Sequence, residues 1–202
     1  MFLAPLSKLE YHPDYGCEGA MSMRSFRSLA LASIMSALSV VLTRFASIRV
    51  AFAGVEGVRL GLGPLPNILV GIVAGPLYGA ASGAVSDLVG YALSPMGGAY
   101  MPHFTLTAAL MGGIPGLVYR MLRREERRHP SVALIMVCVG ASSLLVSLGL
   151  TPYFLNLLFG LPYKALIPPR AAVAVIEVPV YSILIRAVIV RYGGMARSGR
   201  PR

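Results

Sequence analysis

The sequence predicts an all-α integral membrane fold of six transmembrane helices with both termini in the cytoplasm. Three observations carry that expectation. Hydrophobic residues make up 56% of the chain and charged ones 13%, with a mean hydropathy of +0.71, far from the roughly quarter-charged usage of soluble domains. The charges are confined to a few stretches, which leaves apolar windows that a hydrocarbon layer about 30 Å thick accepts as helices. Lys and Arg also accumulate in segments that share one side of the membrane when the windows alternate in direction.

The helices are placed at 28–44, 62–75, 77–94, 104–120, 131–151 and 171–190, within one membrane domain spanning 24–192. The first window is uncharged between Arg27 and Arg44, whose long side chains can snorkel to the interface. A polar connection, 45–61, follows it. Gly75-Pro76 closes the second window directly before the third, so these two form a hairpin of helices. The stretch 94–102 has the Gly and Pro density of a structured loop, and 120–129 is basic enough to demand water. Pro152, Pro162, Pro168 and Pro169 mark 152–169 as a second long loop before the last helix. Residues 1–23 read as a disordered tail with a start codon expected at Met21 or Met23, and 193–202 as a basic C-terminal tail.

Several function classes are excluded. The net charge of +10 sits between apolar windows and is not interleaved with aromatics, so no nucleic-acid partner is expected. Cys17 and Cys138 have no CxxC spacing and no histidine cluster, so neither a metal nor any other cofactor is expected. No P-loop motif is present, and an ATP-driven step therefore needs another subunit. Ser82 is misspaced for a nucleophile elbow and no HExxH occurs, so the chain is not read as an enzyme.

With the termini inside, five basic residues fall outside against the general rule: Arg44, Arg49, Arg59, Lys164 and Arg170. Such a cluster suits an anionic ligand, because Arg offers a fork of donors to carboxylates; interfacial snorkelling is the competing account, evenly matched for Arg44 and weaker for Arg59 and Arg170, which lie beside helix ends where a loop could close over a pocket. Asp87, near the middle of the third helix, must face the bundle interior or a cavity. It either accepts hydrogen bonds from neighbouring helices or shapes a pocket floor, and Glu177 in the last helix poses the same choice. Gly71, Gly75, Gly79 and Gly83 form a small-residue stripe for close helix packing. Ala32, Ser33, Ser36 and Ala37 make a similar stripe on the first helix, suited to internal packing or to a partner's helix.

Taken in order, several segments resemble the folate family of energy-coupling-factor (ECF) S components. They are Leu42-Thr43-Arg44-Phe45 with Ser47-Ile48, the run 58–63 leading to Pro66, and the turn 75–79. Next come Ser86-Asp87, the run 104–107, the loop 158–162 and the stretch 165–170. The likeness covers 24–191. It implies a small six-helix binding protein of the prokaryotic plasma membrane that captures a vitamin near its outer face. It also implies delivery of that vitamin with a transmembrane coupling subunit and two cytoplasmic ATPases. By the resemblance, Arg44, Arg59, Tyr100, Phe104, Thr105 and Arg170 bind ligand, Asp87 lies lower in the pocket, and Ala32, Ser33, Ser36 and Ala37 meet the coupling subunit. Aromatics there can stack on a flat ring. A folate, another anionic vitamin and a queuosine-like precursor all suit such a site. The chain departs from the family in lacking Trp, in its long N-terminal tail and at Leu150-Thr151-Pro152. The alternative from another class is a self-sufficient secondary transporter moving protons through Asp87 and Glu177; such carriers often carry related halves, and none is visible between 24–120 and 131–190.

Overall fold

A computed structural model describes residues 23–45, 47–52, 55–93, 100–122 and 130–198. The N-terminal tail with Cys17, the loop residues 94–99, the basic run 123–129 and the last four residues lie outside the described residues. Helix α1 (Met23–Phe45) crosses to a β hairpin, β1 (Ser47–Phe52) and β2 (Val55–Gly61). Helices α2 (Pro64–Ala74), α3 (Pro76–Leu93) and α4 (Pro102–Leu122) follow. The chain then forms α5 (Val132–Ser142), a π-helical segment (Ser143–Leu150), α6 (Thr151–Phe159) and α7 (Tyr163–Ser198). Among the described residues three stretches are long and apolar enough to cross a membrane: Ser25–Phe45, Val132–Phe159 and Tyr163–Arg191.

The bundle is helical as expected, but the connection after α1 is not a plain polar loop. β1 and β2 pair antiparallel, with Ser47 opposite Gly61, Arg49 opposite Arg59, and an irregularity between Val50 and Ala51. The β-branched Ile48, Val50, Val55 and Val58 favour extended backbone, a signal that Arg49, Glu56 and Arg59 masked in a search for apolar runs.

The proline-rich stretch corrects a second expectation. In place of a loop over 152–169, helix continues from Val132 to Phe159 and resumes at Tyr163. Pro152 has no N–H to give, and the chain absorbs it by widening the preceding turns into π-helix. Val146 O then accepts from both the Thr151 amide and, at 2.8 Å, the Thr151 hydroxyl. The true stop is Gly160, left-handed at φ 64°, where Asn156 Nδ2 also donates to Leu161 O at 2.8 Å. Pro168 and Pro169 lie in the second turn of α7, where their fixed φ is helical although each forgoes an intrahelical bond.

Two devices hold α1 to α4 together. The first is a glycine seam. At Gly71, Gly79 and Gly83 an added methyl would run into backbone: Gly112 O for the first two, Ala108 O for the third. Gly112 and Gly116 on α4 answer them against Gly79 O and Gly71 O, so α2, α3 and α4 pack backbone to backbone. Gly75, at φ 110°, makes the turn between α2 and α3 that other residues adopt only under strain.

The second device is a buried polar network around Asn67. Its Nδ2 donates to Ser39 Oγ of α1 (3.0 Å) and Ser86 Oγ of α3 (2.9 Å), and its Oδ1 accepts from Ser82 (2.7 Å). Ser36 and Ser82 hydroxyls meet at 2.9 Å, and Ser39 donates to Gly63 O at 2.7 Å. In lipid such groups must find partners within the protein, and here three helices satisfy one another. An apolar cluster of Ile68, Leu69 and Ile72 on α2, Ile135 and Val139 on α5, and Tyr181 and Ile185 on α7 then joins the second half to the first. Outward faces of the long helices carry Leu29, Ile34 and Val41, Leu144 and Leu145, and Val175, Ile176 and Ile183, as lipid contact requires.

Candidate functional site

The end of α1, the hairpin, the starts of α2, α4 and α7 and the ends of α3 and α6 all lie at one end of the bundle, because consecutive helices alternate in direction. Three of the expected site residues meet there directly. Thr105, in the first turn of α4, donates to Asp87 Oδ2 of α3 at 2.7 Å, and Tyr100 OH lies 2.6 Å from the same Thr105 oxygen. Because the single Thr105 proton goes to the carboxylate, Tyr100 donates to Thr105, and a chain of hydrogen bonds runs from the half-exposed phenol to the half-buried acid. Tyr91, one turn beyond Asp87, packs on Tyr100 with ring centroids 5.2 Å apart. Asp87 thus faces inward, as its depth demanded.

Arg44 closes α1 beside this group. Its Nη2 donates to Gly90 O on α3, and a cation at a helix C-terminus is favoured by the helix dipole. Arg170, on α7, is half-buried and reaches Ser147 O of the π-helical segment at 3.4 Å. Arg59 lies on β2 opposite Arg49; the side chains of both lie outside the described residues. Phe104 is half-buried and stacks on His103, with centroids 4.2 Å apart.

Glu177 belongs to a separate group. Gly61 N, at the end of β2, donates to Glu177 Oε1 at 3.0 Å, and Tyr181 OH donates to Gly61 O. The hairpin base is therefore pinned to α7 through one glycine. Asp87 and Glu177 hydrogen-bond to different elements, and the hydrogen bonds described do not link them.

The stripe on α1 divides into two faces. Ala32 and Ser36 are each 5% exposed and pack on α3, where Ser36 meets Ser82, while Ser33 and Ala37 face outward. At about 100° per residue the four positions span an arc of about 140°, and α3 covers the part of it that Ala32 and Ser36 occupy. Ala32 and Ser36 are occupied by internal packing.

Sequence reasoning missed Tyr91, His103, Tyr153 and Phe154, and the Asn67 network. Aromatic and small polar side chains inside apolar windows carry no local signal of which face they occupy. Among the described residues no three His, Cys, Asp or Glu side chains are grouped to hold a metal ion.

Residues 23–190 match the family described as "ECF-type riboflavin transporter, S component". A folate transporter, FolT, of Clostridium novyi (strain NT) is 31% identical over 163 residues, which is 81% of this chain and 88% of that protein. The crystal structure of FolT bound with folic acid superposes with a TM-score of 0.63 at 30% identity, covering 78% of this chain and 88% of that one. With the match over 23–190 and a relative 31% identical over most of its length, the chain belongs to the family of S components of ECF-type transporters.

Proposed function

We propose that this S component captures a folate, or a closely related anionic pterin, in the hairpin end of its bundle. One observation supports the placement above the others: the Asp87, Thr105 and Tyr100 chain, with Arg44 and the aromatic rings of α4 and α6 gathered at the same end. A flat ring suits the aromatic faces and a carboxylate tail suits the guanidinium groups. Arg59 and Arg170 are proposed to hold that tail, Phe104 to stack, and Asp87 to bind lower in the pocket. The family description names riboflavin, whereas the relative at 31% identity and the superposed structure are folate proteins; the identity of those two supports folate.

The proposal includes six spans, with α5, the π-helical segment and α6 counted as one, and both termini in the cytoplasm of a prokaryotic cell. The distribution of Lys and Arg supports that orientation, and it sets the hairpin end outside. Import then depends on a transmembrane coupling subunit and two cytoplasmic ATPases, because the chain has no nucleotide-binding motif of its own. The outward pair Ser33 and Ala37 on α1 is the proposed coupling contact.

Calorimetry on the detergent-purified protein tests the binding: folic acid should bind tightly without ATP. Vesicles containing this chain alone should not accumulate folate, and those that also contain the coupling subunit and ATPases should. ATP-independent accumulation by the chain alone refutes the reading.

A further inference from the structure

The first turn of α4 carries a histidine that the site described so far does not use. His103 Nε2 is shut off from solvent and has no hydrogen-bond partner among the described residues. Its ring is held between two aromatic neighbours, Phe104 at 4.2 Å and Phe154 of α6 at 5.1 Å, each tilted by 43°. Tyr153 extends the cluster, edge-on to Phe154 at 5.8 Å. Native proteins satisfy nearly all buried polar atoms, so a ring nitrogen kept unpaired calls for a purpose. Had packing been the only demand, phenylalanine would fill the same space among three aromatic rings without an orphaned nitrogen.

The neighbours of His103 say what that purpose is. From one turn of α4, His103 reaches the α6 side while Thr105 reaches Asp87 on the α3 side, and Phe104 stands between them. We propose that His103 is a ligand-recognition residue, whose Nε2 hydrogen-bonds the edge of a planar, nitrogen-rich heteroaromatic ring lying against the Phe104 and Phe154 faces. The inference rests on reading this end as the vitamin site. Neutral imidazole donates or accepts at Nε2 according to its tautomer, which matches a ring edge that offers both ring nitrogens and N–H groups.

The test is folic acid binding to the full-length protein in detergent, with His103→Phe and His103→Gln beside the unsubstituted chain. His103→Phe keeps the ring and its packing but lacks the nitrogen, and its Kd should weaken about tenfold, the value of one buried hydrogen bond. The melting temperature without ligand should be unchanged or higher, since a buried unpaired polar atom has been removed. His103→Gln, which returns an amide group at similar reach, should recover part of the affinity. Unchanged folic acid affinity in His103→Phe overturns the inference and leaves the vitamin reading standing, as does a loss of affinity that tracks a fall in melting temperature and is not recovered by Gln. If the unsubstituted chain binds riboflavin and not folic acid, the folate reading fails and the same comparison made with riboflavin decides the role of His103. Binding of neither vitamin refutes the functional reading and this inference together.

Discussion

Replacing Asn67 by alanine removes the side chain that ties α1, α2 and α3. Three hydrogen bonds go with it: those to Ser39 (3.0 Å), Ser86 (2.9 Å) and from Ser82 (2.7 Å). Side-chain hydrogen bonds inside membrane proteins average about 0.6 kcal/mol, so the three account for about 2 kcal/mol. The serines left behind keep other acceptors. Ser39 donates to Gly63 O at 2.7 Å and Ser86 to Gly83 O at 2.9 Å, and Ser82 Oγ lies 3.4 Å from Ala32 O. No penalty for stranded donors is therefore added. The atoms removed, roughly 25 Å³ at a site only 6% exposed, add about 0.6 kcal/mol of cavity cost. The expected loss is about 2.5 kcal/mol, read from the midpoint of unfolding by denaturing detergent with helical circular dichroism as the signal. A loss below about 0.5 kcal/mol would refute the claim that the network holds the N-terminal helices together.

Gly112→Ala should lower stability by about 3 kcal/mol or prevent folding, because its methyl meets Gly79 O. Gly113→Ala meets the Ala80 side chain at 3.1 Å and Pro76 O at 3.3 Å, and should be milder in the same denaturing-detergent assay. Ala37→Trp should leave the melting temperature and vitamin affinity of the isolated protein as they are and abolish co-purification with the coupling subunit, while Ala32→Trp should disrupt the bundle itself. Thr105→Val breaks the link between Tyr100 and Asp87, and calorimetry should show folic acid binding weakened about tenfold with little change in stability.

Much of the bundle could be read from local chemistry. Gly75-Pro76 announced the α2 to α3 turn because a missing Cβ and a missing N–H are properties of single residues. Asp87 was placed inward by a solvation argument that needs only its depth in an apolar window. Pro152 and the pair Pro168 and Pro169 misled for a related reason: a proline forbids one hydrogen bond, and whether helix survives depends on what the surrounding turns can rearrange. The Thr151 hydroxyl and the widened turn before it supplied that rearrangement.

The glycine seam shows the boundary more sharply. Gly71, Gly79 and Gly83 stood out by spacing, yet their partners Gly112, Gly116 and Ala108 lie on another helix, α4, and only the assembled helices reveal which backbone meets which. The same holds for the division of α1 into an inward face, Ala32 and Ser36, and an outward one, Ser33 and Ala37.

Composition, window lengths and the order of short motifs were sufficient for the membrane class and the family, since partition into lipid is a sum over residues and needs no geometry. The grouping of Asp87, Thr105 and Tyr100, the isolation of Glu177 on Gly61 and the orphaned His103 nitrogen came from packing alone. Hydrogen bonds depend on direction and on distances of about 3 Å, and between residues far apart in sequence those exist only after the helices have docked.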